Sequence, residues 1–193
     1  PQQSTIAYLE GYGFSKRIIH NFFKPFFKGI FLEENLSTSS AMFEFVFKMF
    51  GEGYAAVPEK GMGEISRQLY AQLEHTQVRY QTKVTSIEKN TIHLESGNQL
   101  TADQIIIATA PNEIIGKEIL KYHKVTNLYF TLQHSFIGKP MIGLVPDEEY
   151  LINNLVFMTD VSKRYSSDGR ALLSVSITKD IRGVESLESQ VSK

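Results

Sequence analysis

The residues most suited to binding a cofactor are the small ones that end the segment IIIATA, at positions 105–110. Three isoleucines lead directly into Ala108, Thr109 and Ala110, which is typical of a buried strand that ends where a ligand approaches. Small side chains at the carboxyl end of such a strand leave room for the ligand. Because the run is apolar on both faces, it predicts a central strand covered on both sides.

A dinucleotide site would also need a glycine-rich phosphate loop, and the sequence contains no complete one. Gly-x-Gly pairs occur at residues 11–13, 51–53 and 61–63, but the last has Ser66 where a third glycine would stand. We interpret residues 61–63 as a tight turn into the helix that follows. A softer functional interpretation is that these glycines let the backbone come close to a ligand near the helix N-terminus.

Other kinds of chemistry have little support in the sequence. No two of the five histidines have metal-ligand spacing and no HExxH occurs, so no metal site is predicted. The absence of cysteine and of a GxSxG motif gives no support to a hydrolase nucleophile. The formal net charge of −1 argues against a nucleic-acid partner. Glu59 and Lys60 remain weak acid–base candidates, and solvent-facing turn residues are the simpler interpretation.

Phenylalanine is concentrated between residues 22 and 50, and the helix predicted over 41–51 carries Phe43, Phe47 and Phe50 on one face. A helix that is apolar over so much of its circumference is buried, or it faces a cavity or a partner. Two interpretations stay open: these rings form a packed core, or they line an apolar channel for a substrate or contact a membrane surface.

The elements that must position these residues begin with helices. Apolar periodicity predicts helices over 4–28, 41–51 and 62–74, with a break near residues 11–13. Pro25 should disturb or end the first of them, because proline lacks an N–H and clashes with the preceding turn. A short apolar helical stripe begins after Gly183.

Strands dominate the later sequence. Alternating apolar residues over 78–94 indicate short strands, and Ser96-Gly97-Asn98 a hairpin turn. Further strands are predicted at 124–134, 141–145, 151–158 and 171–178. Helices first and strands later predict an α+β fold rather than a regular βαβ alternation.

Composition also bears on the cellular location of the protein. Hydrophobic residues make up 42% of the 193 positions, enough for a sizeable core, but no run is long enough to cross a bilayer. The first residues lack the features of a signal peptide, and there are no cysteines. We therefore expect a cytoplasmic location.

Five segments together resemble the flavin-dependent amine oxidoreductases, in particular the branch of phytoene desaturase and protoporphyrinogen oxidase. They are FFKPFFKGIFL, LSTSSAMFEFVFKMFGEG, VPEKGMGEISRQL, VTSIEKNTIHLESG and ADQIIIATAP, in this order. The resemblance implies a substrate domain interleaved with an FAD-binding α/β domain. It assigns residues 1–56 to the helical part of the substrate domain, 57–111 to part of the FAD-binding domain, and 112–193 to the mixed or antiparallel sheet of the substrate domain.

The same resemblance implies roles for particular residues. Val84 matches the valine whose backbone faces the adenine of FAD, and residues 108–110 match the small-residue turn that lies against the cofactor. An apolar small-molecule substrate would be bordered by Phe43, Phe47 and Phe50, because they lie on segments assigned to the substrate domain.

The sequence also departs from the family pattern. It contains neither the GxGxxG loop that opens the family's FAD domain nor the glycine-rich segment that lies under the flavin. We therefore expect an internal fragment of an FAD-dependent oxidoreductase, inactive by itself, whose whole enzyme takes a hydride from a C–H or C–N bond. The alternative from another class is a non-catalytic module that binds a hydrophobic ligand or a partner.

Overall fold

The computed structural model describes residues 3–111, 114 and 122–181. Helices and two antiparallel sheets form an α+β fold, as the sequence predicts. The chain divides into two compact units, a larger unit of Pro1–Gln68 with His123–Lys193 and a smaller unit of Leu69–Tyr122. The division predicted after residues 56 and 111, with its substrate and FAD roles, stays a prediction, and the helical stripe after Gly183 lies outside the described residues.

Helices come first along the chain. Their bounds are Thr5–Tyr12 (α1), Lys16–Ile18 (α2), a π-helical segment Ile19–Phe23, Lys24–Phe31 (α3), Ser40–Glu52 (α4) and Gly63–Tyr70 (α5). The division between the two units falls within the last turn of α5. Ser15 caps α2, because its Oγ accepts the N–H of Ile18 at 3.3 Å. Hydrophobic side chains from α1 to α4 pack into one core, made of Leu9, Ile19, Phe23, Phe27, Leu36 and Phe43.

Pro25 disturbs the helix without ending it. The helical chain runs on to Phe31, and a π turn occupies the five residues just before Lys24, whose N–H donates to the carbonyl of Ile19. Because proline cannot donate to the carbonyl four residues earlier and its ring crowds that turn, the wider π turn accommodates it. Of the two predicted outcomes, disturbance of the helix is found and termination is not.

The described strands of the larger unit are Thr126–Leu132 (β4), Gly143–Leu144 (β5), Asn154–Phe157 (β6) and Ala171–Ile177 (β7). They form one sheet in the order β4-β7-β6-β5, and all of its pairs are antiparallel. A short helix, Met158–Val161 (α6), and a 3-10 turn, Lys163–Tyr165, lie between β6 and β7. The alternating buried side of β7 packs into a second core with Phe157.

Helix α3 meets this sheet through polar side chains. Asn153, which is 3% exposed, donates from Nδ2 to the carbonyl oxygen of Pro25 at 3.0 Å. A Cβ on Gly29 would lie 2.9 Å from Nδ2 of Asn154 and 3.0 Å from Nδ2 of Asn153. The close approach of helix and sheet therefore favours glycine at position 29, because a larger residue would displace these amides.

The described strands of the smaller unit form one antiparallel sheet, ordered β1-β2-β3. The strands are Val84–Glu88 (β1), Thr91–Leu94 (β2) and Gln99–Thr101 (β3). Gly97, with φ of 83°, takes the left-handed conformation in the predicted hairpin turn between β2 and β3.

Residues 105–110 do not form the predicted central strand. The segment is irregular, Ile106 is 90% exposed, and Ala108, Thr109 and Ala110 are exposed as well. None of the described strands pairs with residues 104–110. An apolar run becomes a buried strand only when neighbouring strands and covering helices are supplied, and the described strands of this unit pair with one another instead.

Candidate functional site

An open cavity of about 240 Å³ lies among α1, the π-helical segment and α4 in the larger unit. We call it the aromatic cavity, and its lining residues are Tyr8, Tyr12, Phe14, Phe23, Phe43, Glu44, Phe47 and Lys48. Six of these eight side chains are aromatic. Predominantly aromatic walls with a few polar groups are typical of sites that bind small molecules.

Helical spacing brings the rings of each wall together. Tyr8 and Tyr12 are one turn apart on α1 with ring centroids 5.9 Å apart. Phe43 and Phe47 are one turn apart on α4, where they stack at 5.6 Å with an interplanar angle of 21°. The two helices are joined at their N-termini, because the N–H of Thr5 donates to the carbonyl of Thr38 at 2.8 Å.

The π-helical segment supplies the floor of the aromatic cavity. It ends in Phe23, which is buried and meets Phe43 edge-on at a centroid distance of 5.9 Å. The Phe23 ring also lies 4.8 Å from that of Phe14 and 6.2 Å from that of Phe47. The irregular turn before Pro25 therefore places a ring that contacts rings from both other sides of the cavity.

The three rings predicted to border a substrate occupy different environments. Phe43 is 4% exposed and belongs to the core, whereas Phe47 is 49% exposed at the rim. Both line the aromatic cavity. Phe50 is not among its lining residues and instead meets Phe26 at 5.4 Å. Substrate contact by these residues stays a prediction, and the core interpretation holds for Phe43 in the described structure.

The rim carries a polar group that sequence reasoning missed. A hydrogen bond with the Glu44 carboxylate, together with desolvation and the charge of Glu44, raises the pKa of the Tyr8 hydroxyl. Lys48, one turn after Glu44, pairs with Glu52 at 3.6 Å. The spacing of Tyr8 and Tyr12 was the available signal for an aromatic helix face, but the contact with Glu44 depends on how α1 packs against α4.

The second apolar face of α4 presents Met42, Phe45 and Met49. All three are exposed, and Phe45 is 59% exposed. No described helix is long and apolar enough to cross a membrane. The membrane-surface contact considered for the phenylalanine-rich helix α4 stays a prediction.

The predicted cofactor residues lie in the smaller unit. Val84 begins β1 and pairs with Leu94, and the exposed small residues 108–110 follow the irregular apolar run. Alanine adds only a methyl group beyond its backbone, so the backbone groups of this segment are open to a planar ligand. The small, exposed side chains of this segment are compatible with a flavin lying against it, but it is not a phosphate-binding loop.

Other candidate groups are engaged in local structure. Glu59 pairs with Arg164 at 2.6 Å and both are exposed, which favours the solvent-facing interpretation of the turn that also holds Lys60. Ser135 donates from Oγ to Asp160 at 2.6 Å and accepts the N–H of Gly138 at 3.0 Å, so its hydroxyl is used in a turn. No metal-binding group of three or more His, Asp or Glu side chains occurs among residues 3–111, 114 and 122–181.

The chain matches the family model of the flavin containing amine oxidoreductases over residues 2–190 and therefore belongs to that family. Membership implies a flavin cofactor. A comparison with the curated proteins found no significant match.

The fold is also found among the solved structures. The chain is similar to reduced UDP-galactopyranose mutase, with a TM-score of 0.63 and 11% sequence identity. The likeness covers 100% of this chain and 50% of the mutase chain, so this chain spans half the length of that protein. At this identity the likeness shows the fold alone.

Proposed function

We propose that this chain is part of an FAD-dependent oxidoreductase and that its aromatic cavity receives the apolar part of the substrate. The observation that carries the proposal is the cavity of about 240 Å³ with six aromatic walls. Family membership supports the flavin chemistry. It also favours the enzyme over the alternative of a non-catalytic module for hydrophobic ligands.

The side chains of the aromatic cavity bind and orient the apolar part of the substrate, and they exclude water from it. Phe23 and Phe43 give a rigid floor because both are buried in the helical core. Phe47 covers the ligand from the rim, and moving its exposed surface out of water stabilises the complex by roughly 25 cal/mol per Å² of apolar area. A flat apolar ligand can stack on these rings.

When bound, FAD supplies the group that accepts a hydride from the substrate. Residues 108–110 would let it approach the backbone closely, because their side chains are small and exposed. Val84 would contribute backbone from the start of β1. Flavin binding and substrate binding are thus proposed for different parts of the chain.

The experiment first records whether the intact protein carries flavin, from its absorption bands and from the identity of the released cofactor. It then compares Phe47→Ala with Phe45→Ala, a matched control in which the ring lies on the same helix but outside the aromatic cavity. Naphthalene is the probe, titrated by calorimetry.

We expect Phe47→Ala to weaken naphthalene binding about tenfold, since losing part of a ring contact costs on the order of 1.4 kcal/mol. Phe45→Ala should bind as the wild type does. A protein without flavin would contradict the assigned chemistry, and equal weakening by both variants would contradict the assigned cavity.

A further inference from the structure

The aromatic cavity contains one carboxylate among its lining residues, that of Glu44. Glu44 lines the aromatic cavity together with the stacked pair Phe43 and Phe47 of the same helix. A charged acceptor at the edge of an apolar cavity is a means of fixing the orientation of a ligand.

Hydrogen-bond capacity shows what this carboxylate can bind. Glu44 is exposed and lines the aromatic cavity together with Tyr8, and it raises the pKa of the Tyr8 hydroxyl. An ionised carboxylate has two oxygens that together accept several hydrogen bonds, so Glu44 has capacity for a donor on a ligand even when Tyr8 donates to it.

The charges of the rim disfavour an anion. The cation of Lys48 is shared with Glu52, at 3.6 Å. An anionic end group would therefore meet the Glu44 carboxylate with only a compensated lysine nearby. The faces of the surrounding rings also carry partial negative charge, which disfavours anions and favours cations.

We propose that Glu44, in the lining of the aromatic cavity, binds the hydrogen-bond-donating end group of a flat and otherwise apolar substrate. This rests on the proposed function, because the ligand is taken to be the substrate of the flavoenzyme. The end group is a hydroxyl, an amide N–H or an ammonium. A cavity of about 240 Å³ lies below the roughly 300–1,000 Å³ typical of sites that enclose a whole ligand, so it fits the polar end of a longer molecule.

Three probes with one ring system and different end groups test the proposal: naphthylmethanol, naphthylmethylamine and naphthoate. Calorimetric titration of the purified protein should show the alcohol and the ammonium binding at least about tenfold more tightly than the carboxylate, as expected for a hydrogen bond to a charged acceptor. The ammonium should lose affinity as salt is added, whereas the alcohol should not. Equal affinities for all three probes would overturn the proposal.

Glu44→Gln should remove the preference among the probes, because an amide is neutral and accepts less strongly. Glu10→Gln is the matched control: it makes the same change at an exposed position of α1 outside the aromatic cavity. It should retain the wild-type preference. Retention of the preference by Glu44→Gln would assign recognition to another group and overturn the proposal.

The proximity of Glu44 to Tyr8 in the cavity has its own spectroscopic test. In Glu44→Gln, titration of tyrosinate absorbance should show the pKa of one tyrosine falling towards its ordinary value, whereas Glu10→Gln should leave it raised. An unchanged tyrosine titration in Glu44→Gln would contradict the placement of the carboxylate in the cavity beside Tyr8.

The inference and the proposed function fail in different ways. Probe preference that depends on Glu44 in a protein without flavin would leave the recognition site intact and contradict the enzyme assignment. A flavin-containing protein whose probe binding ignores Glu44 would contradict only the recognition site.

Discussion

The helical region at 5–52 and the segment at 104–110 are both rich in large apolar side chains, yet they reach different states. The rings of the first pack on one another across α1, the π-helical segment, α3 and α4. Ile106 in the second is almost fully exposed, and none of the described strands pairs with it. The helices satisfy their backbone internally and need only side-chain partners, whereas an extended segment needs another strand for its backbone as well.

This difference also separates the two candidate sites. The aromatic cavity is built by packing that the described residues complete, so its geometry follows from contacts within the larger unit. The small residues at 108–110 form a surface whose fit to a ligand rests on exposure and size. Substitutions in the first region should therefore act on stability as well as on ligand binding, whereas those at residues 108–110 should act on ligand binding alone.

Ala110→Leu should produce the largest functional effect, a complete loss of flavin from the intact protein with the fold preserved. The longer side chain would fill the space through which a planar group approaches the backbone. Ala71→Leu is the matched control, since it makes the same change at an exposed position of the smaller unit. Flavin content and circular dichroism are the measurements, and full flavin retention by folded Ala110→Leu would give this segment a purely structural role.

The two stacked rings of α4 provide the largest stability contrast. Phe43→Ala removes a buried core ring and should lower the free energy of unfolding by about 3–5 kcal/mol. Phe47→Ala removes a half-exposed ring and should cost only about 1 kcal/mol. Urea unfolding measures both.

Substrate affinity then separates the two roles of these rings. The folded Phe47→Ala variant should bind naphthalene less tightly than the wild-type protein does. Equal stability losses for the two variants would remove the distinction between the floor and the rim of the aromatic cavity.

The sequence predicted the helical region more accurately than the segment at 104–110. The helix predicted over 41–51 is found at Ser40–Glu52, and the turn at 96–98 is a hairpin, because local spacing and capping specify both. The contact of Tyr8 with Glu44 was not predictable, since it depends on the packing of two helices. The run at 105–107 was predicted as a strand from composition, which says nothing about the availability of partner strands.

Gly29→Ala should give a smaller stability loss, of about 1–3 kcal/mol, since the new methyl group would overlap the amides of Asn153 and Asn154. Asn153 cannot move away freely because it is buried and bonded to Pro25. Gly11→Ala is the control: it is also helical but has no atom within 4 Å of the new Cβ. It should be neutral or stabilise by about 0.5 kcal/mol, since alanine favours helix. Equal unfolding free energies for the two variants would show that helix α3 does not need a glycine at the sheet.

The smallest expected effect concerns Glu33, which lies in the loop between α3 and α4. Desolvation of Glu33 opposes its ionisation, but hydrogen bonds from Ser37 at 2.5 Å and the Thr38 N–H at 2.6 Å, with the charge of His123, outweigh it and lower the pKa of Glu33. A lowered pKa means that the folded state favours the carboxylate. This contribution is present above the ordinary glutamate pKa of roughly 4.3 and is lost as the pH falls below it.

Glu33→Gln should therefore reduce the stability of the protein near neutral pH by less than about 1 kcal/mol, because Glu33 is partly exposed and its interactions are screened. The difference from the wild type should shrink towards acid pH, whereas the exposed Glu10→Gln should show no such convergence. Urea midpoints across this pH range measure it. A constant difference between Glu33→Gln and the wild type would mean that the Glu33 charge does not hold the loop. The loop carries Thr38, whose carbonyl accepts the N–H of Thr5 at the N-terminus of α1. Its local hydrogen bonds therefore help to hold the aromatic region together, whereas none of the described strands pairs with residues 104–110.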